Sequence, residues 1–140
     1  MNKTIGILCL AGLASLTSAS QAGPPGVTVD TLLETDTTIL GQSFEYPEGQ
    51  AKITAMVLTV PPHATIALHE HPVPLFVYVL QGQITVDYES VGPITYQGGD
   101  TFVEAFEWPH SAHNTGRGLV RILTVYAGAD GVANSVQLPD

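Results

Sequence analysis

Beyond Gly26 the chain alternates short apolar runs with breakers and nowhere sustains the 3.6-residue rhythm of an amphipathic helix. The runs 53–60, 65–68, 75–80, 84–88, 101–103 and 119–126 are rich in Val, Ile, Leu, Thr and Tyr, side chains that suit a pleated, half-buried backbone. Between them stand Pro61-Pro62, Pro72, Pro74, Gly82, Gly92-Pro93, Gly98-Gly99, Pro109, Gly116 and Gly118. Short strands parted by turn residues at regular intervals predict an all-β sandwich or barrel.

Two runs say more. Residues 75–80 are apolar at every position, so both faces of that strand are expected to be covered. One face would look into a lumen, the other against a second sheet or a neighbouring subunit. In 53–60, Thr54, Met56, Leu58 and Val60 alternate with Ile53, Ala55, Val57 and Thr59, and neither set is charged. Burial on both faces is expected there too. Double-sided apolar strands in so short a chain point to cover from a second copy, hence a homodimer. Val79-Leu80-Gln81-Gly82-Gln83-Ile84 reads as strand, tight turn, strand, with Gly82 supplying the unusual backbone angle.

The N-terminus reads differently. Lys3 precedes an apolar stretch over 5–16, and Ser18-Ala19-Ser20-Gln21-Ala22 offers the small residues of a signal-peptidase site. Cleavage is expected after Ala22, or alternatively after Ala19, with export to a bacterial periplasm. The organisation expected is a signal peptide over 1–22, a leader with a first strand over 23–36, a β-barrel over 37–128 and a C-terminal tail over 129–140. The single cysteine, Cys9, leaves with the signal, so the mature chain has neither a disulfide nor a thiolate. Four Lys and Arg stand against 13 Asp and Glu, a net charge of −9. Losing Lys3 leaves Lys52, Arg117 and Arg121 as the strong cations. Nucleic-acid partners are excluded for want of a basic footprint, and anionic lipid is disfavoured for the same reason. The acidity is read as serving solubility.

The chemistry concentrates at His69-Glu70-His71. On an extended segment, side chains two apart share a face, so the two imidazoles point one way and Glu70 the other. Neutral imidazole is a common metal ligand, and a third His meeting this pair would complete a three-nitrogen site. His63, after two prolines, reads as a turn residue, and His113, three beyond His110, as facing away from it. Gly98-Gly99-Asp100 precedes a strand and lacks a following Lys, which rejects a phosphate loop. Ser111 and His110 lack the surrounding sequence of a nucleophile elbow.

With His69, His71 and Gly82 in one pattern and Gly99, His110 and Asn114 in a second, the region 63–114 resembles the cupin superfamily. The patterns are G-x5-H-x-H-x3,4-E-x6-G and G-x5-P-x-G-x2-H-x3-N. The resemblance implies a single cupin barrel (double-stranded β-helix, or jelly roll) of two packed sheets, with a metal held by His from both motifs. Three positions depart in the Gly and Pro places: His63 and Glu107 replace Gly, and Ala105 replaces Pro. The fourth departure concerns chemistry, because Leu75 stands where the first motif has Glu. The implied ligands are therefore His69, His71 and His110, holding one divalent transition metal (Fe, Zn, Mn, Ni or Cu) with positions open.

Three neutral ligands leave the dication uncompensated, and Glu104 is the best candidate carboxylate for a catalytic role. It could act as a base, a partner to a ligand, a fourth ligand, or merely a solvated acid at a strand end. Trp108-Pro109 either walls the pocket or belongs to the core, Asn114 fits a turn, and Tyr78, Tyr96 and Tyr126 have ordinary packing roles. Two functions stand: a metal-dependent enzyme, dioxygenase- or isomerase-like, on a small organic acid, diketone or sugar derivative, and a noncatalytic periplasmic module that binds or senses a small molecule. Fold alone does not choose between them.

Overall fold

The computed structural model describes residues 25–139; the expected signal segment lies outside them. Residues 25–31 form a separate unit from the body that begins at Leu32, and they are exposed and carry no strand. The first strand expected within 23–36 is not formed among the described residues. No helix there is long and apolar enough to cross a membrane.

Nine strands build the body: β1 (Ala51–Val60), β2 (Thr65–Glu70), β3 (Leu75–Gln81), β4 (Gln83–Asp87), β5 (Pro93–Gln97), β6 (Thr101–Val103), β7 (His110–His113), β8 (Val120–Ala129) and β9 (Val136–Gln137). They form two antiparallel sheets, ordered β1-β8-β3-β6 and β5-β4-β7-β2-β9. The protein is all-β, as its pattern of runs and breakers predicts. Leu75, Val77 and Val79 of β3, Ile122 and Tyr126 of β8, Ile84 and Val86 of β4, and Tyr88 just beyond it project at period two into the space between the sheets.

Three expectations need correction. Burial on both faces of β1 is not found: Ile53 is 67% exposed, Val57 48% and Met56 44%. The strand is the edge of its sheet, paired among the described residues only with β8. On β3 the inner positions are buried, but Phe76 and Tyr78 are half-buried and Leu80 is exposed. Gly82 does not close a hairpin. β3 and β4 belong to different sheets, and Gly82 (φ 83°) is the corner where the chain crosses between them. A Cβ there would meet the Leu119 carbonyl oxygen at 2.7 Å, so neither the angle nor the space admits another residue.

Nor is the C-terminal segment a tail. β8 runs through Ala129, and β9 pairs with β2 at His69 and Glu70. The Leu138 N–H adds a bond to the Leu68 carbonyl at 3.0 Å. The last residues thus brace the strand that carries the first candidate ligands.

Candidate metal centre

β2 does not run straight to its histidines. Its pairing with β7 slips between Ile66 and His69, a bulge that inserts one residue and re-aims the side chains beyond it. In an unbroken strand residues 66 and 69 would face opposite ways; here both line the same cavity. The slip also brings His69 opposite His110 on β7. His71 lies just past the end of β2, held by two contacts of its own. Its carbonyl accepts the Glu107 N–H at 2.9 Å, and its Nδ1 meets the Asn134 carbonyl at 2.9 Å.

The three rings converge, with centroids 4.8 Å apart for His69 and His71, 4.4 Å for His69 and His110, and 5.1 Å for His71 and His110. One ligand atom from each lies within 4.8 Å of the other two. Their protonation follows from their neighbours. His69 Nδ1 is 2.7 Å from the Ala67 carbonyl, and His110 Nδ1 is 2.8 Å from that of Trp108. A carbonyl only accepts, so each Nδ1, that of His71 included, carries the proton and donates it. The lone pair of each neutral ring is left on Nε2, and no hydrogen-bond partner reaches these atoms among the described residues. Burial pushes all three below the usual imidazole range, His71 down to about 3. Neutral rings, fixed tautomers and converging lone pairs make a donor set that fits a divalent transition metal ion.

The cavity they share has a volume of about 70 Å³. Leu58, Ile66, Leu75, Val77, Ile84, Val86, Phe102, Ala112 and Ile122 form most of its wall; its polar lining is the three His, Glu104, Thr124 and Tyr126. Neither Lys nor Arg lines it. Glu104 follows β6 and is 6% exposed, so it is no solvated strand-end acid. Its Oε1 accepts the Tyr88 hydroxyl at 2.7 Å and the Ala105 N–H at 2.8 Å. Oε2 lies 3.9 Å from His110 Nε2. Burial pushes this carboxyl up to about 7, against the opposing pull of the Tyr88 hydroxyl and the Ala105 amide.

The remaining candidates fall elsewhere. His63 and His113 are exposed, the latter with Nδ1 2.9 Å from the Thr65 hydroxyl. Trp108 packs against the core and donates its indole N–H to the Tyr88 carbonyl. Asn114 is 1% exposed and donates to the carbonyls of Val60 and Gly118 while accepting the Gly116 N–H; it ties loops together. Sequence reasoning missed Tyr88, and it treated Tyr126 as mere packing. Tyr88 shares its strand parity with inward Ile84 and Val86, a signal that was available: an inward phenol needs a partner. Tyr126 lines the cavity 5.6 Å from the His71 ring. Asn134 acts through its backbone and leaves no sequence signal.

A double-sheet barrel with histidines from two separate strands meeting inside it defines a class of small metal-site barrels. Residues 56–126 match the model of the cupin domain, and the chain belongs to that family, as a single cupin barrel. Among solved structures it is similar to the Lactobacillus farciminis oxalate decarboxylase formate complex (24% identity, TM-score 0.54, covering 64% of this chain and 27% of that one). It is also similar to Bacillus subtilis oxalate decarboxylase (30% identity, TM-score 0.50, covering 61% and 23%). A third likeness is to the DMSP lyase DddQ from Ruegeria pomeroyi DSS-3 (24% identity, TM-score 0.52, covering 61% and 42%). The chain thus spans between about a quarter and two fifths of these proteins' lengths. No curated protein matches the sequence.

Proposed function

We propose that this cupin is an exported, metal-dependent enzyme acting on a small organic acid or diketone. The observation that carries the reading is the fixed tautomer of three converging imidazoles, two buried and one half-buried, each with Nδ1 on a backbone carbonyl and its lone pair facing the other two. His69, His71 and His110 hold the ion, which when bound supplies a Lewis acid to polarise a substrate oxygen or a centre that activates dioxygen. The chain's own residues do the rest. Apolar walls exclude water and limit the substrate to a few heavy atoms; a sugar would leave hydroxyls facing Leu58 and Ile66. Glu104 Oε2 sets a carboxylate beside the ligands, while Tyr88 and the Ala105 amide hold its other oxygen.

A second reading, a noncatalytic binding or sensing module, is favoured by the scarcity of polar groups: beyond His and Glu104 the cavity offers only Thr124 and Tyr126. Elemental analysis of protein from its own host, followed by Fe(II) loading without oxygen and a turnover screen on small acids and diketones after oxygen is admitted, separates the two. Stoichiometric metal with turnover supports the enzyme. Binding without turnover across several metals supports the module. Protein that carries no metal and gains none on reconstitution refutes both metal readings.

Export rests on the N-terminal pattern, and mass spectrometry of the periplasmic protein tests cleavage after Ala22. The homodimer rests on the uncovered Ile53 and Val57 at the β1 edge. A second copy laid there would cover these side chains; light scattering that gives only monomer at high concentration refutes it.

A further inference from the structure

The first motif's carboxylate is missing at Leu75, yet a carboxylate stands directly across the ladder from that residue. β3 and β6 pair with Phe76 opposite Val103 and Val77 opposite Phe102. One step further, the Glu104 N–H donates to the Leu75 carbonyl at 2.9 Å. Neighbours across a ladder point to the same face of the sheet, and both side chains line the cavity.

Glu104 is also oriented. Both of its hydrogen bonds fall on Oε1, one from Tyr88, whose hydroxyl also meets that of Tyr96 at 3.0 Å, and one from the Ala105 amide. Oε2 is left on the cavity side, 3.9 Å from His110 Nε2. Two ligand atoms on one ion stand roughly 3–3.5 Å apart, given bonds of about 2.0–2.2 Å, so a small side-chain adjustment brings Oε2 into the set.

Charge points the same way. A buried carboxylate needs a cation or full hydrogen bonding, and neither Lys nor Arg lines this cavity. Three neutral imidazoles around a dication leave the opposite charge unmet. Each deficit is the other's remedy.

We propose that Glu104 is the fourth metal ligand, supplying from just beyond β6 the carboxylate that the motif places on β3. The proposal rests on the metal reading above, and one titration distinguishes the failure of each. Full-length protein stripped of metal is titrated with Co(II), following visible absorption and competition with a chelator of known affinity. The forms compared are wild type, Glu104→Gln, and the exchange Leu75→Glu with Glu104→Leu. Glutamine keeps the size and the Oε1 bonds from Tyr88 and Ala105, and circular dichroism of the stripped forms checks folding.

Loss of a partner that only orients a ligand costs about 10–100-fold in affinity. Glu104→Gln is expected to exceed that range and to change the visible bands, and the exchange to recover affinity to within about tenfold of wild type. Wild-type affinity and spectrum in Glu104→Gln would overturn the proposal and leave the three-histidine site standing. Wild type that binds no Co(II) would overturn both.

Discussion

His63 (φ 64°) and Glu107 (φ 47°) hold left-handed backbone, and they are the two positions where the cupin motifs carry glycine and this chain does not. A residue with a Cβ gives up roughly 1–2 kcal/mol in that region. Glycine would recover this but loses more freedom on folding, an opposing cost of up to about 1 kcal/mol. Both side chains are exposed, and no hydrogen bond or ion pair holds either among the described residues. The backbone bonds survive the change, since glycine keeps the N–H that His63 gives to Asn114 and Glu107 gives to His71. The net expectation is a gain of about 0.5 kcal/mol for each of His63→Gly and Glu107→Gly, and about 1 kcal/mol for the pair, because the sites share no partner. Urea unfolding of the metal-free protein reads this directly as a shift in midpoint at constant slope. His63→Ala and Glu107→Ala, which keep the Cβ and the strain, should change little. A loss of 1 kcal/mol or more in either glycine variant, or an equal gain in the alanine controls, would refute the assignment of strain to these positions.

Asn114→Ala strands the Val60 and Gly118 carbonyls and the Gly116 N–H, and is expected to cost about 3 kcal/mol by urea unfolding. Asn114→Asp should cost more as pH rises, since its carboxylate would face two carbonyl oxygens; a cost unchanged between pH 4 and 8, where an ordinary Asp ionises near about 3.9, refutes this. Gly82→Ala should destabilise far more than Gly99→Ala. Both adopt positive φ, but an added Cβ at Gly82 meets Leu119 and Val120, whereas nothing lies within 4 Å at Gly99; equal midpoints would contradict that difference. In metal-free protein, His71 ionises at about 3 when folded and 6.5 when not. The unfolded chain takes that proton first, so this contribution is complete above pH 6.5 and lost as pH falls toward 3. Glu104 works oppositely: its carboxyl is raised from 4.5 to about 7, so the folded chain keeps a proton that the unfolded chain has released. Its contribution is full below pH 4.5 and lost as pH rises through 7. Metal-free Glu104→Gln should therefore gain on wild type between pH 5 and 8, and parallel stability curves would refute the shift.

Strand-rich runs between Gly and Pro made the fold class legible, yet three strands were not. β5 opens on Pro93, β7 is His-Ser-Ala-His, and β9 has two residues. Each is short and largely polar; each is a strand because a partner's backbone is there to receive it, which is tertiary information. The two-sided burial read into β1 failed for a related reason. An uncharged strand says that something could cover it, not whether this chain does.

At the site, period two relates Glu104 to Phe102 and Tyr88 to Val86; the reading of the sequence drew neither relation, yet both hold in the barrel. The same rule applied to His69 and His71 reached the right face through an incomplete premise, because the strand bulges before His69 and ends before His71. What one strand's pattern cannot contain is register between strands. That Leu75 faces Glu104 follows from how β3 and β6 pair across a separation of 29 residues, and a linear motif treats the two positions as unrelated. A motif letter records one solution to a local physical demand. The left-handed turns at 63 and 107 survive without glycine because the bonds that their N–H groups donate to the Asn114 and His71 carbonyls hold the backbone there. A demand for carboxylate at the cavity wall is likewise a demand on a face of the sheet, which the neighbouring strand can meet as well as the original one.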